Sequence, residues 1–201
     1  FTDTVVDENV LSMPNVSFGG TGFFYDKATP LPPEVEHAMP DYHLYDDWVY
    51  GKINDGLDDL GAEEKEEVIK SRRKEFVYYL DYSIGFLTRG CFRQCEFCVN
   101  KNYTAVKPHS PLLEFLDPSR KKICLLDDNF FGCSRWRELL VELQDTEKPF
   151  QFKQGLDERL LTDEKCDLLF KSKYDGDYIF AFDNVADYEL IERKLIQIRK
   201  Y

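Results

Sequence analysis

The sequence lacks long apolar runs, and its first residues lack the features of a secretion signal; each absence narrows the expected class of protein. No stretch approaches the roughly 18 to 20 uninterrupted apolar residues that a membrane-spanning helix needs. The first ten residues, Phe1–Val10, contain neither the basic nor the apolar region of a secretion signal. We therefore expect a cytoplasmic protein with no membrane association.

Positive charge is also scarce. The chain has 26 basic against 38 acidic residues, which gives a net charge of −12. Such a surface repels phosphate backbones unless a local basic patch compensates. The compact basic runs, Lys70–Lys74 and Arg120–Lys122, are short. Nucleic acid is therefore a disfavoured partner.

An initiating methionine is absent as well, and the sequence ends within the charged helical pattern of Ile191–Tyr201. With 201 residues, of which 43% are hydrophobic, the chain is long enough for one or two domains with a sizeable core. We expect a globular fragment of a longer protein.

The pattern of the chain changes between residues 75 and 76, which predicts two segments. Segment 1–75 has a predicted short strand and glycine turn at Val16–Gly22, then a proline-rich connector at Pro30–Pro40. It continues with a charged stretch, Glu63–Lys74, that predicts an exposed helix or lid. Segment 76–201 instead alternates short apolar runs with helical periodicity.

The second segment predicts an α/β fold. One or two strands are predicted within Phe76–Leu87, and single strands at Lys122–Asp127, Phe150–Gln154 and Tyr178–Phe182. Helices are predicted at Ser134–Gln144, Thr162–Ser172 and Asp187–Arg199, the first two capped by Ser134 and Thr162. This alternation predicts at least four βα units around a parallel sheet, with functional loops at the carboxyl ends of the strands.

Three of the six cysteines are crowded into eight residues, at Cys91, Cys95 and Cys98. In a chain without a secretion signal this crowding favours metal or redox use over disulfides. Three thiolates on one loop can each hold one iron of a cubane cluster, because such clusters are built on cysteine sulfur. The remaining iron then stays open to a ligand, as in catalytic metal sites.

Other uses of the cysteines stay open. A zinc site needs a fourth ligand, and His109 is the nearby candidate. However, structural zinc sites usually contain paired CxxC units. Three unconnected buried thiols are a further alternative. The remaining cysteines are scattered and are predicted to be small buried structural residues, at Cys124, Cys133 and Cys166.

The segment Thr88–Cys98 resembles the radical S-adenosylmethionine (SAM) superfamily, whose motif is CxxxCxxC with an aromatic residue, here Phe97, before the third cysteine. The resemblance implies a [4Fe-4S] cluster on the three cysteines, SAM on its open iron, and Phe97 against the adenine. One electron from such a cluster cleaves SAM to methionine and a 5'-deoxyadenosyl radical, which abstracts hydrogen from substrate. An electron donor such as flavodoxin or ferredoxin and an unknown small-molecule or peptide substrate are implied.

The resemblance also implies a fold and further site residues. The fold is a partial (β/α) barrel of the radical SAM type over residues 76–201, preceded by an irregular N-terminal segment. The loops after the second and third predicted strands resemble a branch with a cobalamin-binding-type domain ahead of the barrel, and the fourth predicted strand also ends in a polar pair at the rim. Their implied SAM contacts are Asp127, Asp128, Asn129, Gln154, Asp157, Arg159 and Asp183. Turn residues and helix caps are the alternative interpretation of these positions.

Cobalamin itself is disfavoured in this fragment. The stretch Asp41–Asp46 partly matches a cobalt-ligand motif around His43, but Asp46 stands where that motif has glycine. The stretch also follows a proline-rich connector instead of a Rossmann strand. Gly19–Gly22 and Pro40–Tyr42 instead resemble the last piece of a Rossmann-like domain and its linker.

Rival functions belong to other classes. A structural zinc module and a catalytically silent iron-sulfur module both use the same cysteines. Among enzymes, tRNA methylthiotransferases have similar barrel motifs. The acidic charge and the missing basic RNA-binding module weigh against the methylthiotransferase.

Overall fold

The computed structural model of the chain describes residues 8–16 and 29–201. From Ser17 onward, the predicted strand and glycine turn at Val16–Gly22 lie outside the described residues. The Rossmann-like remnant therefore stays a prediction.

A three-stranded parallel sheet lies at the centre of the second segment. The strands are β1 (Tyr82–Gly85), β2 (Thr88–Arg89), β3 (Lys107–Pro108), β4 (Lys122–Leu125) and β5 (Phe150–Phe152). The parallel sheet has the order β1-β4-β5, and β2 and β3 form an antiparallel pair. Since parallel strands point the same way, the loops after β1, β4 and β5 meet at one edge of the sheet.

The helices are α1 (Glu8–Leu11), α2 (Pro33–Glu36), α3 (Asp46–Asn54), α4 (Ala62–Glu75), α5 (Val77–Leu80), α6 (Trp136–Asp145), α7 (Asp163–Phe170) and α8 (Tyr188–Ile198). The predicted exposed helix is confirmed, because α4 buries none of its residues. The predicted connector at Pro30–Pro40 is only partly extended, since it contains α2.

The core lies between one face of the sheet and α6 and α7. Alternate strand residues point into it, with Ile123 and Leu125 of β4 and Phe150 and Phe152 of β5 all buried. Helix α6 contributes Leu139, Leu140 and Leu143. The scattered cysteines are buried and unpaired, as predicted for Cys124, Cys133 and Cys166.

One of the two predicted helix N-caps is confirmed, and the other is wrong. Helix α7 begins after Thr162, whose Oγ1 accepts a hydrogen bond from Lys165 N at 3.3 Å, so the predicted cap is confirmed. The predicted cap at Ser134 is wrong. Helix α6 begins one residue later, after Arg135, and its Trp136 N–H bonds the carbonyl of Cys133 instead.

The predicted fourth strand at Tyr178–Phe182 is wrong as a regular strand. Phe180 makes only an isolated parallel bridge to Leu156. A turn at Gly155, with φ +86°, follows β5 and interrupts the ladder between the pairing at Phe150 and the pairing at Leu156. The segment Tyr178–Phe182 therefore runs parallel to the chain after β5, but it does not form a continuous hydrogen-bonded ladder with it.

The other three predicted strands are shorter than the sequence suggests, and β5 covers only Phe150–Phe152 of the predicted Phe150–Gln154. Of Phe76–Leu87, the first part forms α5, and β1 begins only at Tyr82. Strand β4 ends at Leu125, so Asp127 follows it in a loop. No helix in the described ranges, 8–16 and 29–201, is long and apolar enough to cross a membrane.

Candidate functional site

The three crowded cysteines line one cavity of about 270 Å³ at the carboxyl edge of the sheet. They lie in the connection between β2 and β3, and residues 90–100 of it are called the cysteine loop below. Most of the predicted site residues join them in the lining: Phe97, Asp128, Asn129, Gln154, Asp157, Arg159 and Asp183. The loops after β4 and β5 therefore face the cysteine loop, because parallel strands end at the same edge.

Gly90 starts the cysteine loop in a conformation that requires glycine. Its φ is +96°, and a Cβ there would lie 2.5 Å from the carbonyl oxygen of Ala105 and 2.8 Å from the ring of Tyr103. A side chain at this position would collide with backbone as well as adopt a disfavoured φ. Glycine thus lets the two ends of the β2–β3 connection approach each other beside Cys91.

Hydrogen-bond donors point at two of the three sulfurs. Cys91 Sγ accepts from the backbone N–H of Arg93 and from Asn129 Nδ2, each at 3.4 Å. Cys98 Sγ accepts from Asn100 N at 3.4 Å. Donors around sulfur stabilise thiolate and tune iron-sulfur centres. The donors around Cys91 and Cys98 are therefore of the kind that surrounds iron-bound sulfur.

The thiol of Cys95 has a pKa raised above its ordinary value. Burial is the main cause, and the negative charges of Asp183, Cys91 and Cys98 raise the pKa further, while Arg159 lowers it. The sulfurs of Cys91 and Cys98 are thus close enough to oppose the deprotonation of Cys95. A bound cation would offset this repulsion, which couples proton release to metal binding.

Asp128 and Asn129 follow β4 and form the second wall of the cavity. Asp128 accepts hydrogen bonds from Gly90 N at 2.8 Å and Asn100 Nδ2 at 2.7 Å. Asn129 is 4% exposed, and its Oδ1 is buried without a hydrogen-bond partner among the described residues. Its Nδ2 faces two acceptors, Cys91 Sγ and Asp157 Oδ2 at 3.4 Å, so its oxygen must face the other way.

Asp127, also a predicted site residue, is not brought into the cavity. It is 1% exposed and accepts hydrogen bonds from Leu87 N at 3.2 Å and from Thr88 N and Oγ1 at 2.7 and 2.6 Å. Burial raises the pKa of its carboxyl to about 7, although these three hydrogen bonds lower it. Asp127 therefore fastens β4 to the start of β2, behind the cavity.

The third wall comes from the loop after β5. Asp157 accepts from Arg93 Nε and Arg159 Nε, both at 2.6 Å, and these cations hold the pKa of its carboxyl below the ordinary value despite its burial. Arg159 also pairs with Asp187 just ahead of α8. Gln154 lies exposed at the rim.

The predicted fourth loop contributes one cavity residue and one cap. Asp183 lines the cavity, whereas Asn184 Oδ1 accepts from Ala186 N at 3.0 Å and so forms the Asx turn that the sequence left open. Phe97 lies at the mouth with 63% of its surface exposed. An adjoining cleft of about 570 Å³ shares Phe97 and Asp183 and extends to Asp187.

Sequence reasoning missed Arg93, Asn100 and the backbone around Gly155, all of which line the cavity. A signal existed for the first two, because Arg93 lies between two motif cysteines and Asn100 follows the third. Nothing in the sequence pairs them with Asp157 and Asp128. Arg93 and Asp157 are 64 positions apart, and Asn100 and Asp128 are 28 positions apart.

His109, the candidate fourth zinc ligand, lies away from the cysteines. Its Nε2 is 3.3 Å from Glu36 Oε1, its Nδ1 is 3.0 Å from Ser110 Oγ, and its ring stacks on His37. Within residues 8–16 and 29–201, no three His, Cys, Asp or Glu side chains converge as a single metal ion requires. A cubane does not require such convergence, because each thiolate binds a different iron.

His43 lies on the surface near the start of α3. Its Nδ1 is 2.8 Å from Asp46 Oδ2, and its side chain is 73% exposed. The neighbouring Tyr42 contacts β1 through hydrogen bonds with Ile84. Trp48 instead stacks edge-on against Phe76.

Comparison of the chain with protein-family models, with curated proteins and with solved structures found no match.

Proposed function

We propose that this chain is the core of a radical SAM enzyme, acting on a small-molecule or peptide substrate. The observation that carries the proposal is the convergence on one cavity of three motif cysteines and a polar rim from the loops after β4 and β5. Enzymes with parallel sheets bind ligands at this edge. The proposal includes a partial (β/α) barrel, a cytoplasmic location and an electron donor such as flavodoxin or ferredoxin.

The donor set of the cavity fits both cofactors. Thiolates with N–H donors, such as Cys91 Sγ beside Asn129 Nδ2, suit iron, and a carboxylate in the lining suits the positively charged SAM amino group. Each oxygen of Asp128 keeps a lone pair for the same group. When bound, a reduced [4Fe-4S] cluster supplies the electron that splits SAM and generates an organic radical.

The residues of the chain would then bind, orient and shield. Cys91, Cys95 and Cys98 hold the iron, and Phe97 covers the adenine at the cavity mouth. Polar rim residues orient the rest of SAM: Asp128, Asn129, Gln154, Asp157, Arg159 and Asp183. Asp127 is not proposed to contact SAM, because its carboxyl group already accepts hydrogen bonds from Leu87 N and Thr88 N.

Anaerobic reconstitution with iron and sulfide tests the proposal. We expect a brown protein with about four irons per chain that forms 5'-deoxyadenosine from SAM under dithionite. Cys91→Ala, Cys95→Ala and Cys98→Ala should each abolish both properties, whereas Cys124→Ala, in the core, should keep them. A colourless, air-stable zinc protein would contradict the proposal, and so would a cluster that leaves SAM intact.

A further inference from the structure

One carboxylate holds both ends of the cysteine loop. Asp128 Oδ2 accepts from Gly90 N at 2.8 Å, and Asp128 Oδ1 accepts from Asn100 Nδ2 at 2.7 Å. Gly90 immediately precedes Cys91, and Asn100 follows Cys98 by two residues and donates its backbone N–H to Cys98 Sγ. The outer two cysteines of the motif are therefore fastened to β4 through a single side chain.

A second carboxylate holds the middle of the same loop. Asp157, after β5, accepts from Arg93 Nε at 2.6 Å, and Arg93 lies two residues beyond Cys91. Asp157 is in turn fixed by Arg159 Nε at 2.6 Å. The loop is thus fastened to the ends of two neighbouring strands by protein contacts alone.

We propose that Asp128 is a positioning residue that preorganises the cysteine loop in the metal-free protein. Charge-assisted hydrogen bonds at both ends of the loop lower the entropy that metal binding must otherwise remove. This role differs from contact with SAM, and it makes Asn100 an equal partner of Asp128. The effect of Asp128 on a bound cluster rests on the proposed function. The effect of Asp128 on the order of the metal-free loop does not.

An exchange of the two partners tests the proposal. Asp128→Asn keeps an oxygen for Gly90 N but turns an amide toward Asn100, and Asn100→Asp places two carboxylates face to face. The double variant restores a carboxylate and an amide in swapped positions, with an amide oxygen still available to Gly90. Asp183→Asn is the matched control, because it removes one negative charge from the same cavity without touching the ends of the loop.

The first measurement is trypsin cleavage after Lys101 in the reduced, metal-free protein. Cleavage of a native protein follows the population of the locally open state. We expect each single variant to be cleaved about tenfold faster than the wild type, the size of one charge-assisted hydrogen bond. The cleavage rate of the swapped variant should return to within about twofold of the wild-type rate. The cleavage rate of the control, Asp183→Asn, should equal the wild-type rate.

The second measurement is the reduction potential and electron paramagnetic resonance spectrum of the reconstituted protein. We expect both single variants to differ from the wild type and the swapped variant to regain its spectrum. Wild-type cleavage rates in both single variants would overturn the proposal, as would a swapped variant that unfolds at the wild-type temperature yet stays as sensitive as the single variants.

The variants also separate this proposal from the proposed function. If Asn100→Asp does not fold, Asn100→Ala replaces it, and adding Asp128→Asn to that background should then increase cleavage no further, because the shared bond is already lost. An additive increase would overturn the proposal.

The failure of the proposed function is distinguishable from the failure of this proposal. A wild-type protein that takes up no iron would contradict the proposed function, whereas the cleavage rates of the metal-free variants would still test the role of Asp128.

Discussion

Glu158 follows the cavity residue Asp157 in the chain, and its side chain is fully buried. Neither oxygen of its carboxylate has a hydrogen-bond partner among the described residues. Burial raises the pKa of this carboxyl and the charge of Asp157 raises it further, while the charge of Arg159 and the nearby N–H groups of Glu158 and Ala181 offset the shift only in part. A buried acid whose oxygens make no full hydrogen bond favours its neutral form, because little replaces the water that stabilises its charge.

We therefore predict that Glu158 makes stability depend on pH. Because its folded-state pKa is raised, its contribution is complete below the ordinary Glu pKa and is lost as pH rises through the raised value. Glu158→Gln removes this loss, so the variant should be more stable than the wild type at pH 8 by about 1 kcal/mol. Urea unfolding from pH 4 to 8 measures the difference.

Glu142→Gln is the control for this measurement, since Glu142 is exposed on α6. Its unfolding free energy should follow the wild-type curve over the whole range. A Glu158→Gln variant whose stability falls with pH as steeply as that of the wild type would refute the assignment.

At the scale of elements, the site is built where short strands end. The pair β2 and β3 brings the two ends of the cysteine connection together, and the loops after β4 and β5 supply the facing walls. Gly90, with φ +96°, lies where β2 turns into the cysteine loop. The hairpin thus depends on one residue without a side chain.

Gly90→Ala should lower iron uptake on reconstitution severalfold while the global fold persists. The added Cβ would meet the carbonyl oxygen of Ala105 at 2.5 Å, and the positive φ adds strain of about 1 to 3 kcal/mol. Iron content and far-ultraviolet circular dichroism measure the two effects. Gly51→Ala is the control, because a Cβ in that part of α3 meets nothing within 4 Å. Normal iron uptake in Gly90→Ala would show that the turn is not required.

At the scale of the whole molecule, Tyr42 joins the N-terminal segment to the sheet. Its Oη accepts from Ile84 N and donates to the carbonyl of Phe115, each at 2.7 Å. Strand β1 is at the edge of the sheet, so Tyr42 satisfies a backbone donor that no strand pairs. Arg120 fastens the same segment by donating to the Tyr42 carbonyl at 2.7 Å.

Tyr42→Phe should lower the free energy of unfolding by about 1 to 3 kcal/mol, because Ile84 N is left without its acceptor. Denaturant unfolding measures the loss, and hydrogen exchange at Ile84 N reports the local opening. Tyr45→Phe is the control, since Tyr45 is exposed. An unchanged unfolding curve for Tyr42→Phe would contradict this role of the Tyr42 hydroxyl.

Much of the site could be predicted from the sequence alone. The spacing of Cys91, Cys95 and Cys98 and the polar residues after each apolar run were local signals, and the strands that brought them together were short buried runs. The cap at Thr162 was local as well, because a cap bonds a donor three residues away. Signals within a few residues survive folding, since the same backbone geometry produces them in any context.

Tertiary structure decided the rest. Periodicity does not say which way a residue faces once its strand has ended, so the sequence could not distinguish buried Asp127 from Asp128 in the cavity. It also could not show that a turn at Gly155 would break the pairing of Tyr178–Phe182, or that Asp128 would join both ends of the cysteine loop. These features depend on hydrogen bonds between distant parts of the chain, and their partners become neighbours only when the sheet has formed.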